Sequence, residues 1–323
     1  MDMESYIYFE ELEGLLGEGK VKLTDIDDAV RRILKVKYEL GLFDDPYRYL
    51  DEEREKEVTG SKEIIDGVLD MAKKSIVLLK NEDKILPLKK KGQRIALIGP
   101  LAADKNSPLG NWRIGADDNT AISVLEGLQA YNGNNIKHQQ GVKLANKIPA
   151  GFHEEVSINE TDRTGFAAAK KAAARADVIV MVLGEYGFQS GEGRSRANLD
   201  LPGLQQELLE EVYAINPNIV LVLMNGRPLI LNWASENLPA IVEAWHLGTQ
   251  SGNAIAQVLY GDYNPGGKLP MSFPRNVGQM PLYYNVKSTG RPGADGEDQG
   301  SVFWSHYTDE KHTALYPFGY GLS

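Results

Sequence analysis

The sequence predicts an α/β fold, a doubly wound and mostly parallel β-sheet with helices on both faces, over about residues 60–275. Three unbroken apolar runs support this prediction, at 95–98, 178–183 and 219–224. Runs that are apolar throughout are typical of strands that are buried on both faces of a sheet. Stretches with helical periodicity separate these runs, and that alternation indicates parallel strands joined by crossover helices.

Residues 1–45 have the periodicity of amphipathic helices. Apolar residues recur there at spacings of three and four, and they include Tyr6, Phe9, Leu12, Ile26, Val30 and Leu34. Glycines at 17, 19 and 41 end the periodic runs. From Asp44 to about Glu57 the chain is polar and charged and contains Pro46, so we expect a linker or a surface segment there.

The remaining elements follow in the order that a doubly wound sheet requires. We expect helices at about 64–72, 120–128, 161–176, 204–213 and 252–259. We expect strands at about 75–79, 94–99, 178–184, 219–224 and 240–245, with a short strand and loops within 132–160. Lys268–Pro274 predicts an edge strand, because its prolines cannot donate a hydrogen bond to a neighbouring strand. The tail, which is rich in glycine, proline and aromatic residues, predicts a surface wrap.

The composition excludes several classes of function. A formal net charge of -10 argues against nucleic acid or an anionic membrane as a partner, since both favour clustered Lys and Arg. The absence of cysteine excludes disulfides, thiolate catalysis and cysteine-rich zinc sites. No apolar run reaches the roughly 18 residues of a membrane span. The acidic first residues do not resemble a signal peptide, although a secreted protein that lost its front end would begin in the same way.

The sequence also predicts no metal and no cofactor. The five histidines have no metal-ligand spacing. No glycine-rich dinucleotide motif follows a strand, and no nucleophilic serine motif is present. Gly261–Lys268 resembles a phosphate loop, but it has one residue too many before the lysine and Leu269 where Ser or Thr is required.

The loop after the longest apolar run concentrates glycine and charge in Ser190–Arg196. Ligands of open α/β sheets bind beyond the carboxyl ends of the strands. Glu192 lies between two glycines, and a carboxylic acid in such a loop can donate a proton when its surroundings favour the protonated form. The alternative is a solvated acid paired with Arg194 or Arg196. Glu185, directly after the strand, is better suited to hold the loop by hydrogen bonds than to catalyse.

Trp112 lies in a glycine-flanked loop after the second strand. Exposed indole rings stack on sugar rings, so Trp112 is a candidate substrate-binding residue, with partial core burial as the alternative. Trp233 and Trp245 lie in or beside apolar runs and are expected in the core. Aromatic residues in the tail are expected to seal a domain interface, and they are Trp304, Tyr307, Tyr316 and Tyr320.

Ten ordered motifs together resemble the second domain of family-3 glycoside hydrolases of the periplasmic β-glucosidase type. They are Asp2–Ser5, Ser75–Asn81, Ile98–Ala102, Leu109–Trp112, Ser190–Glu192, Leu201–Gln205, Asn264–Pro270, Pro281–Asn285, Thr289–Pro292 and Pro317–Ser323. The resemblance extends over nearly the whole chain. Because the motifs occur in order, the resemblance is much more specific than any one of them.

This resemblance implies a function. In the family, a TIM-like barrel carries an aspartate nucleophile, and the flavodoxin-like α/β sandwich that follows contributes an acid/base glutamate. Glu192 matches that glutamate, and Trp112 matches a loop that can approach the aglycone side of the substrate. The implied reaction is retaining hydrolysis of β-linked gluco-oligosaccharides, with two carboxyl groups about 5 Å apart. The implied location is the periplasm or outside the cell.

The resemblance begins after the segment where the family has its nucleophile, and Asp2 is not that residue. We therefore expect residues 1–58 to be the end of a barrel with a linker, and residues 59–323 to be the sandwich with its wrap. We expect the chain alone to be inactive, to need a barrel in cis or trans, and to self-associate through its exposed helices. The alternatives are a stand-alone carbohydrate-binding or interaction module and, less favoured, a flavodoxin-like nucleotide binder.

Overall fold

The computed structural model describes residues 3–147, 154–287, 303 and 305–323. Trp304, Asp2 and the motif at 289–292 lie outside the described residues. The chain forms two compact units, Met1–Ile64 and Ile65–Ser323.

The first unit is helical, as its periodicity predicts. It contains α1 (Ile7–Gly17), α2 (Leu23–Glu39) and α3 (Glu52–Val58). Helix α3 lies in the segment that we interpreted as a linker. It forms there because the Asp51 side chain accepts a hydrogen bond from the backbone N–H of Arg54 at 2.9 Å and caps the first turn.

The first unit leaves much of its apolar surface in water. Tyr6, Phe9, Val30 and Leu34 each expose at least 43% of their surface, and Ile26 is half-buried. None of the residues in α1, α2 and α3 is fully buried. An apolar surface of this kind usually marks an interface.

The second unit contains the remaining elements. Its helices are α4 (Lys62–Ser75, which begins at the end of the first unit), α5 (Val124–Gln129), α6 (Phe166–Ala173), α7 (Gln205–Tyr213), α8 (Asn232–Asn237) and α9 (Ser251–Leu259). Its strands are β1 (Val77–Asn81), β2 (Arg94–Ile98), β3 (Asn135–Gln139), β4 (Ala145–Lys147), β5 (Ser157–Ile158), β6 (Val178–Gly184), β7 (Ile219–Met224) and β8 (Ala240–Glu243).

Six of these strands form one sheet in the order β1-β8-β7-β6-β2-β3, and β4 pairs with β5 separately. Only the pair β1–β8 in the large sheet is antiparallel. The predicted doubly wound, mostly parallel fold is therefore confirmed.

Successive residues of the central strands point to opposite faces and fill two cores. Val180 and Val222 pack on the face covered by α5 and α9. Met181 and Leu221 pack on the face covered by α6 and α7. Helices cover both faces, which is why β6 and β7 are apolar throughout.

The predicted edge strand at Lys268–Pro274 is wrong. Only an isolated bridge forms there, between Phe273 and Tyr316, and the backbone N–H of Leu269 donates to Tyr320 at 2.9 Å. Pro270 and Pro274 lack the N–H groups that a continuous ladder would need, so the pairing with the tail stays local.

None of the helices in the described residues combines the length and the apolar character that crossing a membrane requires.

Candidate functional site

Two loops meet at the carboxyl end of the sheet. The β2 loop (residues 99–123) follows β2, and the β6 loop (residues 185–203) follows β6. They touch directly, since a Cβ on Gly191 would lie 2.3 Å from Nδ2 of Asn111. Asn111 precedes Trp112 and Gly191 precedes Glu192, so the contact joins the neighbours of the two predicted site residues.

Both predicted site residues face solvent. Trp112 exposes 61% of its surface, so the alternative of partial core burial does not hold for it. Glu192 is also exposed. The proximity of the two loops follows from the parallel pairing of β2 and β6, because loops at the carboxyl ends of neighbouring strands lie side by side.

Glu192 does not take either of the arginine partners that the sequence suggested. Arg194 pairs with Glu155 at 2.6 Å and donates to the carbonyl of Glu154 at 3.0 Å. Arg196 pairs with Glu185 at 2.9 Å. Among the residues that the structure describes, no cation lies within ion-pair distance of the Glu192 carboxylate, and the residue is exposed.

Glu185 is fully buried beneath the β6 loop. Its carboxylate accepts hydrogen bonds from Arg196, from Arg227 and, at 3.3 Å, from the backbone N–H of Gly226. This arrangement agrees with the interpretation of Glu185 as a residue that holds the loop.

Sequence reasoning missed a second buried carboxyl group, that of Glu243. It ends β8, accepts from the backbone N–H of Trp245 at 2.9 Å, and accepts from Nδ2 of Asn225 at 3.1 Å. Burial raises the pKa of Glu243 to about 8. The sequence did contain a signal for Glu243, because it is the lone acid inside the apolar run 240–245. An acid in such a run is buried and has a perturbed pKa, and groups with perturbed pKa values concentrate near functional sites.

His246 was also missed. Part of its surface is exposed, but both ring nitrogens are buried and make no hydrogen bond of normal geometry in the described part of the chain; the backbone of Ser107 is close enough to one of them to interact weakly. Burial lowers the pKa of His246 to about 4, so the ring is neutral at pH 7. Its Cβ would lie 3.8 Å from a Cβ on Gly110, which places His246 beneath the β2 loop.

We expect the free energy of unfolding to depend less on pH in Glu243→Gln than in the natural chain. Burial raises the pKa of Glu243 from 4.5 to about 8, so its contribution to stability is complete below pH 4.5 and is lost as the pH rises towards 8. Urea unfolding between about pH 5 and about pH 8 should show the natural chain losing on the order of a few kcal/mol relative to the variant. His246 titrates in both proteins and cancels in the difference.

The matched control is Glu236→Gln, which changes an exposed glutamate on α8. Its stability curve should run parallel to that of the natural chain. Identical slopes for the Glu243 variant and the natural chain would contradict the assignment of a protonated Glu243.

A cleft of about 450 Å³ opens beside the β2 loop. Polar side chains line it, among them Asp104, Arg113, Asp118 and His138. Arg113 pairs with Asp118 at 2.5 Å, and its guanidinium lies 4.9 Å from the ring centre of Phe188, so it links the β2 loop to the β6 loop. Such a cleft is large enough for a sugar ring.

Within residues 3–147, 154–287, 303 and 305–323, no group of three or more His, Asp or Glu side chains is placed to hold a metal ion. The buried carboxylates at the carboxyl end of the sheet are instead engaged by protein groups, Glu185 by Arg196 and Arg227 and Glu243 by Asn225.

The sequence and the fold of this chain are similar to those of known proteins. The family model "Glycosyl hydrolase family 3 C-terminal domain" matches residues 76–323. The chain is 41% identical to the periplasmic beta-glucosidase of Salmonella typhimurium, over 100% of this chain and 43% of that protein. It is 39% identical to a beta-xylosidase of Formosa agariphila, over 92% of this chain and 39% of that one.

The solved beta-glucosidase of Listeria innocua has the same fold, with a TM-score of 0.88 and 36% identity over 100% of this chain and 42% of that one. The chain thus spans about two fifths of the length of these relatives, from 39% to 43%.

Proposed function

The chain belongs to glycoside hydrolase family 3, and from that premise we propose that it supplies the acid/base carboxyl group, Glu192, of a retaining glycosidase. The observation that carries the proposal is the position of Glu192. It is an exposed carboxyl group, without an ion-pair partner in the described residues, on a loop at the carboxyl end of a parallel sheet. The names of two relatives, both beta-glucosidases, support β-linked gluco-oligosaccharides as the substrate class.

In the proposed reaction Glu192 acts twice. It first donates its proton to the glycosidic oxygen as the bond from that oxygen to the anomeric carbon breaks, while a carboxylate nucleophile bonds to that carbon from the other face. It then removes a proton from the water molecule that attacks the anomeric carbon and releases the nucleophile. The family resemblance assigns the nucleophile to a barrel domain, outside the sandwich that this chain matches.

We assign Trp112 to the leaving-group side of the same substrate. Its exposed indole stands next to Asn111, which contacts the glycine before Glu192. A sugar ring stacked on this indole would lie beside the carboxyl group that protonates its glycosidic oxygen. The cleft beside Arg113 offers polar groups to the hydroxyls of that sugar.

We further propose that residues 1–58 form the end of a barrel. Their exposed apolar side chains would pack on the rest of that barrel, in the same or another chain, or on a second copy of this chain. The name of the Salmonella typhimurium relative supports a periplasmic location, or a secreted one.

The test compares the 323-residue chain with a chimera, in which the chain replaces the segment that it matches in the Salmonella typhimurium relative. We expect the chain alone to hydrolyse an aryl β-glucoside only at the background rate, since it offers a proton donor and no matched nucleophile. The chimera should hydrolyse the same aryl β-glucoside well above the background rate. Light scattering of the chain alone should give a mass above that of one chain if the apolar helices pair.

The intact relative, assayed in parallel, controls for the conditions. Robust hydrolysis by the chain alone would contradict the division of roles. A folded chimera without turnover, combined with quenching of tryptophan fluorescence by sugar in the chain alone, would favour a carbohydrate-binding module instead.

A further inference from the structure

We propose that Glu185 is a positioning residue that holds both ends of the segment Gln189–Arg196 and thereby fixes the direction of Glu192. This inference rests on the proposed function of Glu192 as the acid/base. It concerns a residue that touches no substrate: the Glu185 side chain has no exposed surface, and its partners, two arginines and a backbone N–H, occupy both carboxylate oxygens.

The position of Glu185 is set by the sheet. It directly follows Gly184, the last residue of β6, and its backbone N–H donates to the carbonyl of Met224 at 2.8 Å. A Cβ on Gly184 would lie 2.0 Å from that same carbonyl oxygen, so β6 and β7 approach as closely there as only glycine allows. The Glu185 carboxylate is therefore attached directly to the end of a central strand that is buried throughout.

The first of two sets of contacts, which we call arms, runs from Glu185 through Arg196 and holds the part of the β6 loop that follows Glu192. Nη1 of Arg196 donates to Oε1 of Glu185 at 2.9 Å, and Nη2 of Arg196 donates to the carbonyl of Asp200 at 3.1 Å. The Arg196 side chain is 21% exposed, so water screens this ion pair only in part. The β6 loop is thus tied to the end of its own strand.

The second arm runs from Glu185 through Arg227 and holds the part of the β6 loop that precedes Glu192. Nε of Arg227 lies 3.0 Å from Oε1 of Glu185, and Nη2 of the same guanidinium donates to the carbonyl of Gln189. Arg227 belongs to the turn after β7, which is the strand next to β6. Glu185 thus orients the Arg227 side chain, which in turn holds the start of the segment Gln189–Arg196 by its hydrogen bond to Gln189. The Ser190 side chain packs on Gly226 in that turn, where a Cβ would lie 2.3 Å from Oγ of Ser190.

Glycines between the two arms make this anchoring necessary. Gly191 and Gly193 have φ values of 113° and 70°, a region that other residues rarely adopt, and they flank Glu192 on both sides. A glycine-flanked carboxyl group gains its direction from the residues that fix the ends of its loop. Loss of that direction is costly, since a displacement of about 1 Å in a reacting group can lower the rate about 100-fold.

The first measurement uses the 323-residue chain alone and needs no activity. In Glu185→Gln, backbone amides of residues 189–196 should exchange with deuterium faster than in the natural chain, while those of β6 and β7 should exchange as before. The matched control is Glu243→Gln, because Glu243 is an equally buried acid whose hydrogen bonds go to Asn225 and to the backbone of Trp245. Its exchange over residues 189–196 should not change.

The second measurement uses the chimera. Glu185→Gln should lower kcat about tenfold to 100-fold with little change in KM, because the substrate still binds while its proton donor is misdirected. Arg196→Gln, which removes only one arm, should have a smaller effect in the same direction. If Glu185→Gln does not fold, the proposal is tested with Arg196→Gln instead. The same two quantities are measured, deuterium exchange over residues 189–196 and kcat of the chimera.

The outcomes separate this inference from the proposed function. If Glu192→Gln slows the chimera but removal of Glu185 or Arg196 changes neither kcat nor exchange over residues 189–196, the positioning role is overturned and the acid/base assignment stands. If Glu192→Gln leaves the rate unchanged, the acid/base assignment fails. Faster exchange in Glu185→Gln would then still support the anchoring of the loop but not its part in catalysis.

Discussion

Glu192→Gln in the chimera is expected to slow hydrolysis by about 100-fold to 10,000-fold for substrates whose leaving group must be protonated. Glutamine keeps the size of the side chain but has no proton to donate to the glycosidic oxygen. A dinitrophenyl β-glucoside, whose leaving group departs without a proton, should lose little in the step that breaks the glycosidic bond. The slope of log(kcat/KM) against leaving-group acidity is the measurement, and it should become much steeper in the variant.

A second readout concerns the step in which water attacks. Glu192→Gln also removes the base that activates water, so the glycosyl–enzyme intermediate should accumulate with the activated substrate. Added azide, a nucleophile that needs no base, should release it as a glycosyl azide and raise the rate. Glu160→Gln, a change at another exposed glutamate, is the control and should behave as the natural sequence. Equal losses for all leaving groups, without an azide effect, would mean that Glu192 is not the proton donor.

The sheet could be predicted from the sequence because its strands are buried on both faces and therefore apolar throughout. Val178–Gly184 and Ile219–Met224 stand out for this reason. Helix α8 (Asn232–Asn237) could not be predicted, because it has a single fully buried residue, Ala234, and no apolar periodicity. The edge strand at Lys268–Pro274 was expected from composition, but its pairing depends on the tail, which a local pattern does not contain.

For the candidate site, local patterns indicated which residues stand on exposed loops and not what lies beneath them. Glu192 and Trp112 were predicted as site residues because glycine-rich loops after apolar runs are typical of ligand sites, and because their motifs resemble a family. The contact of Glu185 with Arg227 joins the ends of β6 and β7, and that of Glu243 with Asn225 joins β8 and β7. Such pairs depend on strand order, which periodicity does not specify.

Gly252→Ala is the substitution from which we expect the largest loss of stability. Helices α5 and α9 cross with their backbones in contact: a Cβ on Gly252 would lie 1.9 Å from the carbonyl oxygen of Ser123, and one on Gly127 would lie 2.1 Å from that of Gly252. Neither glycine has a positive φ, so the space and not the backbone conformation requires glycine. The obstacle is backbone, which cannot rotate away as a side chain would.

An added methyl group must therefore push α9 off α5. The backbone hydrogen bond from Gly252 to the carbonyl of Ile122, at 2.8 Å, would lengthen, and Leu128 and Ile255 would lose packing in the core on that face of the sheet. Overpacking alone costs about 1–3 kcal/mol, and a lost buried hydrogen bond adds about 1 kcal/mol. Against a typical total of about 5–15 kcal/mol, this loss should lower the urea midpoint markedly at an unchanged m value.

Gly67→Ala is the matched control, because Gly67 lies in the interior of α4 with no atom within 4 Å of the added Cβ. It should stabilise the chain by about 0.5–1 kcal/mol, since alanine loses less conformational freedom than glycine when a helix forms. Opposite shifts of the two urea midpoints are therefore expected from the same chemical change. A midpoint for Gly252→Ala equal to that of the natural chain would mean that α5 and α9 do not cross through these two glycines.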